Sequence, residues 1–414
     1  MNARTLVSLA AGLALVLSAC VFEDEPLDDA APSDTGAIPA AEVPDTIIGA
    51  QIAEVEAFWL EVGDSIGLAY ETVDPSRIVA RSALEDGTVD DTCSFNGEAE
   101  ALNPDDVIDN AFVTPCDEGI TVVYDDIDYV PTLDRKYDGA GPAMLFAHEW
   151  GHVIQFQLGL FDQDGLTAEQ QADCWSGAYA RWAEDNGIEP FTDPSALDLA
   201  IISTLETRDE IGVDPEIEDS HGNGFDRVRA TQEGYERGAA FCNDYTSGNL
   251  PITQIGFLDE EDADAAGNLP FDEANELLGE EVTAFFESLT DESLDEFVDE
   301  PSIEELEELY DEIGDNAVGT AYALRYAEAL QAAEGLDVDT TDAALQRACL
   351  TGAWLHDVLN AEDPAAGQLS PFDLDESIQT FSTSDDLLRN PGLVFDTIDN
   401  LRVGTIDGLD ECGL

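Results

Sequence analysis

The stretch AHEWGHVIQFQ, residues 147–157, decides how the rest of the chain is read. It lies inside a longer run, GPAMLFAHEWGHVIQFQLGL, whose apolar residues recur at three- and four-residue spacing and so predict a buried helix. Two of the chain's four histidines, His148 and His152, sit here four residues apart. A helix sets such a pair on one face with Cβ atoms about 5–6 Å apart. Two neutral imidazoles at that separation can aim their nitrogens at one zinc ion. Glu149 then stands at the ion's open side, where a carboxylate can take a proton from a bound water. The bland alternative is a helix carrying two satisfied histidines. The apolar flanks AMLFA and VIQFQ favour the metal, because a catalytic ion works in a dry, shaped pocket.

A zinc ion that keeps one position for water needs a third protein ligand. In AEQQADCWSG, Glu169 and Asp173 are again four residues apart and project from one face of a second helix. The economical assignment makes Glu169 the ligand and lets Asp173 bond the far nitrogen of a zinc histidine, holding its tautomer. Asp173 as the ligand is the alternative. One Zn2+ per chain is expected.

At 414 residues and 44% hydrophobic content the chain can build two cores. It carries 14 basic against 93 acidic residues, a net charge of −79, and Lys136 is its one lysine. Such a surface suits concentrated salt, where self-repulsion is screened. Nucleic acid is excluded as a partner, since nothing neutralises phosphates. The N-terminus MNARTLVSLAAGLALVLSAC has the layout of a secretory signal over residues 1–19, ending in a lipobox-like Leu17-Ser18-Ala19-Cys20. Acylation of Cys20 would anchor the chain on the extracytoplasmic face of the cell membrane, with residues 20–45 as an acidic, Pro- and Ala-rich tether.

The second half repeats the first. FDRVRATQEGYERGAAFC (225–242) pairs with FDTIDNLRVGTIDGLDEC (395–412), ADCWSGAYA (172–180) with RACLTGAWL (347–355), and VEAFWLEV (55–62) with VTAFFESL (282–289), in the same order. If each copy staples its own chain, the disulfides are Cys174–Cys242 and Cys349–Cys412, which leaves Cys93–Cys116. Tyr322 to Tyr326 stand opposite His148 to His152, and Ala344 and Ala348 opposite Glu169 and Asp173, so the second copy keeps no ligand. It is expected to wall one side of the cleft. His356, on an apolar helix, reads as structural. Thr167 with Gln170 suggests a capping box for the helix of Glu169, and strand-like alternation is confined to about residues 111–130.

AHEWGHVIQ, then ADCWSGAYA, then HGNGFDRV with a closing Cys242 resemble the bacterial neutral zinc metallopeptidases, a gluzincin-like family, and NAFVTPCDEGITVVYDD fits that family's approach strand. The resemblance covers about residues 50–245. It implies a zinc-dependent endopeptidase acting on peptide or protein substrates, with His148, His152 and Glu169 as ligands and Glu149 as general base. The family's HG and following R fall on His221-Gly222 and Arg227, which implies an oxyanion-stabilising role for His221. The fold class expected is mainly α with a small sheet (α+β). A zincin-like domain over 46–250 would precede a shortened, degenerate, mostly helical copy over 262–414. The rival reading is a non-catalytic envelope binding or assembly lipoprotein whose zinc only holds the first domain together.

Overall fold

A computed structural model describes residues 45–413 apart from 90–91, 96–97, 117–118, 161–163, 210, 212–219, 247–249, 251, 255, 258–262, 264, 266, 292, 362–368, 371 and 384–391. The signal, Cys20 and the tether therefore lie outside the described residues, save Asp45. No helix among the described residues is long and apolar enough to cross a membrane.

The chain is mainly helical with one small sheet, as the periodicity predicts. In the first half, helix α1 (Asp45–Val62) and short α2 (Arg81–Glu85) accompany five strands. These are β1 (Ile78–Ala80), β2 (Thr92–Phe95), β3 (Glu98–Ala101), β4 (Ala111–Cys116) and β5 (Gly119–Tyr124), in the order β1-β5-β4-β2-β3. β1 runs parallel to β5 and the other pairs are antiparallel, with Cys93 directly opposite Cys116. Only β4 and β5 carry a readable strand signal. β1 has three residues, too few for a period, and β3 reads EAEA, which alternates but is built from residues poor in strand propensity.

Helices α3 (Tyr129–Tyr137), α4 (Ala140–Leu158), α5 (Gly165–Asp185), α6 (Ser195–Glu206), α7 (Gly224–Arg237) and α8 (Ala239–Cys242) complete the first half. The amphipathic α4 lays Phe146 against Tyr124 of the sheet, and its other side joins Trp59, Trp150, Trp175 and Tyr179 in one core. Left-handed Gly139 and Gly159 bracket α4, where only a residue without Cβ adopts φ of 81° and 73° without strain. α5 is capped by Asp164, whose carboxylate accepts from Thr167 N and Thr167 Oγ1 at 2.9 Å each. The Thr167–Gln170 box is thus corrected: the cap sits three residues earlier, and Gln170 Oε1 instead accepts from Arg229.

Among the described residues the regular structure of the second half is helical: α9 (Phe271–Glu287), α10 (Ile303–Glu312), α11 (Asp315–Ala333), α12 (Thr341–Leu359), α13 (Asp373–Ser382) and α14 (Leu393–Asp407). All three expected disulfides form. Cys174–Cys242 ties α5 to the end of α8, and Cys349–Cys412 ties α12 to the turn after α14. In both halves the helix that carries the first cysteine meets the helix just before the second, α5 with α7 and α12 with α14, until backbones touch. A Cβ on Gly177 would run into Thr231 O and one on Gly234 into Cys174 O. Likewise one on Gly352 would meet Leu401 O and one on Gly404 Cys349 O.

A glutamine ladder recurs in the same way. Gln155 Nε2 donates to Ala168 O and to Gln171 Oε1, and Gln171 Nε2 to Cys242 O. Gln331 Nε2 donates to Ala343 O and to Gln346 Oε1, and Gln346 Nε2 to Cys412 O. The ladder corrects the register of the comparison: Gln331 takes the place of Gln155, so Leu324, Arg325 and Glu328 stand opposite His148, Glu149 and His152.

The halves share a core, because Ile201, Leu205, Phe225 and Val228 of α6 and α7 pack with Trp354, Leu374 and Ile378. They also exchange carboxylates. Asp198 of α6 accepts from Gly392 N and Phe395 N at the start of α14, while Asp375 of α13 accepts from Gly224 N and Phe225 N at the start of α7.

Candidate metal centre

α4 and α5 cross so closely that a Cβ on Gly151 would stand 2.8 Å from Ala172 Cα. That approach, one residue before His152, brings the first turns of α5 over the histidines. His148 Nε2 and His152 Nε2 face each other at 3.1 Å. Glu169 adds Oε2 at 3.1 Å from His148 Nε2 and Oε1 at 3.4 Å from His152 Nε2. His148, Glu149, His152 and Glu169 are 8, 4, 1 and 4 % exposed.

The tautomers follow from the outer partners. His148 Nδ1 lies 2.8 Å from Asp173 Oδ1 and His152 Nδ1 lies 2.9 Å from Gln155 Oε1. A carboxylate only accepts, and Gln155 is oriented by its amide N–H groups on Ala168 O and Gln171. Both Nδ1 atoms therefore donate, and both Nε2 atoms turn lone pairs on one another and on Glu169. Two lone pairs and a carboxylate packed together in a buried site require a cation. With only a proton to hand, Asp173 and Glu169 outweigh the opposing push of burial and draw His148 up to about 10. A metal answers the same demand. Ligand atoms about 2.0–2.1 Å from a tetrahedral ion stand about 3.3 Å apart, close to the three separations found. His148, His152 and Glu169 could hold a metal ion.

Asp173 is not a member of that group. It grips His148 from behind and is itself clamped by Arg227, whose Nε and Nη2 donate to Oδ2 and Oδ1 at 2.8 and 2.9 Å. Burial would raise its pKa, but Arg227 and His148 hold it down to about 2. Arg227 Nη1 also donates to Thr207 O. Glu149 lies beside the ligands with Oε2 unpartnered among the described residues, and burial pushes its carboxyl up against the pull of His148 and His152. His221 reaches the rim, its Nε2 4.0 Å from Glu169 Oε2. Asp209 anchors that loop, accepting from His221 N, Gly222 N and Ser220 Oγ and facing His221 Nδ1 at 3.3 Å. His356 lies elsewhere, its Nδ1 3.0 Å from Thr405 O.

So the six residues singled out around HEWGH converge, and two that were not, Gln155 and Asp209, prove to orient them. Gln155 carried a faint signal as an apolar helix's polar residue one turn after His152; Asp209, one acid among 93, carried none. In the second half Leu324, Arg325, Glu328 and Ala344 line an open groove of about 710 Å3 instead of closing on an ion. Comparison with family models, curated proteins and solved structures gives no match.

Proposed function

We propose that this chain is a zinc-dependent endopeptidase of the neutral zinc metallopeptidase kind it resembles, with a zincin-like first half, tethered through Cys20 to the outer face of the cell membrane. The observation that carries the reading is the pairing of two imidazoles whose Nδ1 atoms are committed elsewhere with a buried Glu149 at their side, whose Oε2 has no hydrogen-bond partner among the described residues. A site that is merely structural has no use for that base, and normally closes its sphere with four protein ligands.

Two imidazole nitrogens and one carboxylate oxygen form a donor set that suits zinc, with His148, His152 and Glu169 holding it. When bound, the ion supplies Lewis acidity that polarises a peptide carbonyl and acidifies a water. Glu149 Oε2 takes the water's proton and returns it to the leaving amine nitrogen. Asp173 keeps the His148 proton on Nδ1, and Arg227 keeps Asp173 ionised. His221, held with Nδ1 against Asp209 and Nε2 4.0 Å from Glu169 Oε2, turns Nε2 toward the oxygen that gains charge.

The rival is a structural metal in an envelope binding protein. Zinc content and peptidase activity in high salt, measured for the mature chain and E149Q, separate the two. A zinc-loaded wild type that cuts and a zinc-loaded E149Q that does not support the peptidase. Wild type and E149Q that both hold zinc and leave a broad set of unfolded polypeptides intact support the binding protein.

A further inference from the structure

The second half reaches the metal site through one carboxylate. Asp375, 1 % exposed on α13, accepts from Gly224 N at 2.8 Å and Phe225 N at 2.7 Å, and pairs with Arg208 Nε at 3.2 Å. Those amides are among the first of α7, where a helix leaves its N–H groups without internal partners. Asn223 caps Asp226 N from within the loop, so Asp375 supplies the complement from across the interface.

What α7 begins with gives this cap its importance. His221 lies three residues before Gly224, and Arg227, which clamps Asp173, lies three residues after it. Three consecutive residues complete the fastening: Thr207 O accepts from Arg227, Arg208 pairs with Asp375, and Asp209 accepts from His221 N. A Cβ on Gly224 would stand 3.0 Å from Asp375 Oδ2, so the helix start is pressed directly on the carboxylate. Asp198 performs the mirror-image task for α14, a helix that serves no metal ligands. LDLAIIST (197–204) and LDESIQTF (374–381) place the two aspartates at matching positions.

We infer that Asp375 is a positioning residue for the site in the first half. The inference rests on the peptidase reading: Asp375 holds His221 and Arg227 in register with His148, His152 and Glu169, so a half without ligands completes the catalytic constellation.

The test compares D375A, D375N and the mirror variant D198A in the full mature chain at high salt. It reads zinc stoichiometry, kcat and KM, and amide exchange over residues 221–228. D375A should keep one zinc, quicken exchange in that segment about tenfold or more, and lose about tenfold or more in kcat with KM little changed. D375N, which retains one acceptor, should recover part of both losses, and it substitutes for D375A should the alanine fail to fold. D198A should leave kcat and the 221–228 exchange at wild-type values. Unchanged exchange in D375A, or equal loss of kcat in D198A, overturns the inference. Exchange needs no substrate, so an inactive wild type whose D375A still loses protection at 221–228 removes the peptidase reading and leaves the positioning intact.

Discussion

Replacing Asp173 by asparagine tests the wiring behind the metal site most directly. The carboxylate accepts three hydrogen bonds, one from His148 Nδ1 at 2.8 Å and two from Arg227 at 2.8 and 2.9 Å. An amide cannot reproduce them. With its oxygen toward His148, its NH2 faces the Arg227 Nε–H, donor against donor, and a guanidinium that is 3 % exposed loses its counter-charge. Breaking a buried ion pair of this kind by removing one member costs about 3–5 kcal/mol. With the amide flipped, NH2 faces His148 Nδ1, the imidazole proton must move to Nε2, and the metal loses a lone pair. Loss of such an orienting partner lowers metal affinity about 10- to 100-fold, or about 1.4–2.8 kcal/mol. D173N should therefore bind zinc more weakly in competition with a chromogenic chelator, and its apo form should unfold at lower denaturant. Adding R227M should restore much of the stability, since the charge that lost its Asp173 partner is gone, without restoring zinc affinity. Wild-type zinc affinity in D173N would refute the argument that Asp173 sets the His148 tautomer.

Other outcomes follow from the same geometry. G177A or G234A should destabilise the apo protein by about 3 kcal/mol or more, seen as a lower denaturation midpoint, because the added methyl meets backbone on the facing helix rather than a side chain that can turn. Removing the Cys349–Cys412 bridge by paired serines should cost about 4 kcal/mol, given a sequence separation of 63, and should leave zinc content unchanged. Between α7 and α14, burial and then Asp399 push Glu236 from 4.5 up to about 7, so the folded chain favours its protonated form. That contribution is whole below the ordinary glutamate range and is lost as pH rises through about 7. The Tm of wild type should fall relative to E236Q from pH 4.5 to 7; a constant difference would show that Glu236 does not titrate in this window.

Deletion from residue 262 onward should remove more than a wall of the cleft. Asp375 and the apolar contacts of Phe225 and Val228 mean that the deletion also bares the start of α7.

Local order was legible because helices relate residues three and four apart. His148 with His152 and Glu169 with Asp173 declare themselves in this way, and the three pairs of matching segments declare the repeat and, through it, the disulfides. Lys136 and the 93 acids declare the chain's regime of charge. Strand β1 is too short to show a period, and β2 and β3 alternate over only four residues, with Glu and Ala in β3 poor strand formers. Which distant carboxylate meets which backbone amide lay beyond the sequence. Asp164, Asp198, Asp209 and Asp375 each meet particular backbone N–H groups, and in the last three cases the partner is a dozen to nearly two hundred residues away. One aspartate among so many carries no mark of that task. A helix leaves its first amides unpartnered whatever the sequence nearby, and only the tertiary packing decides which distant oxygen arrives to meet them.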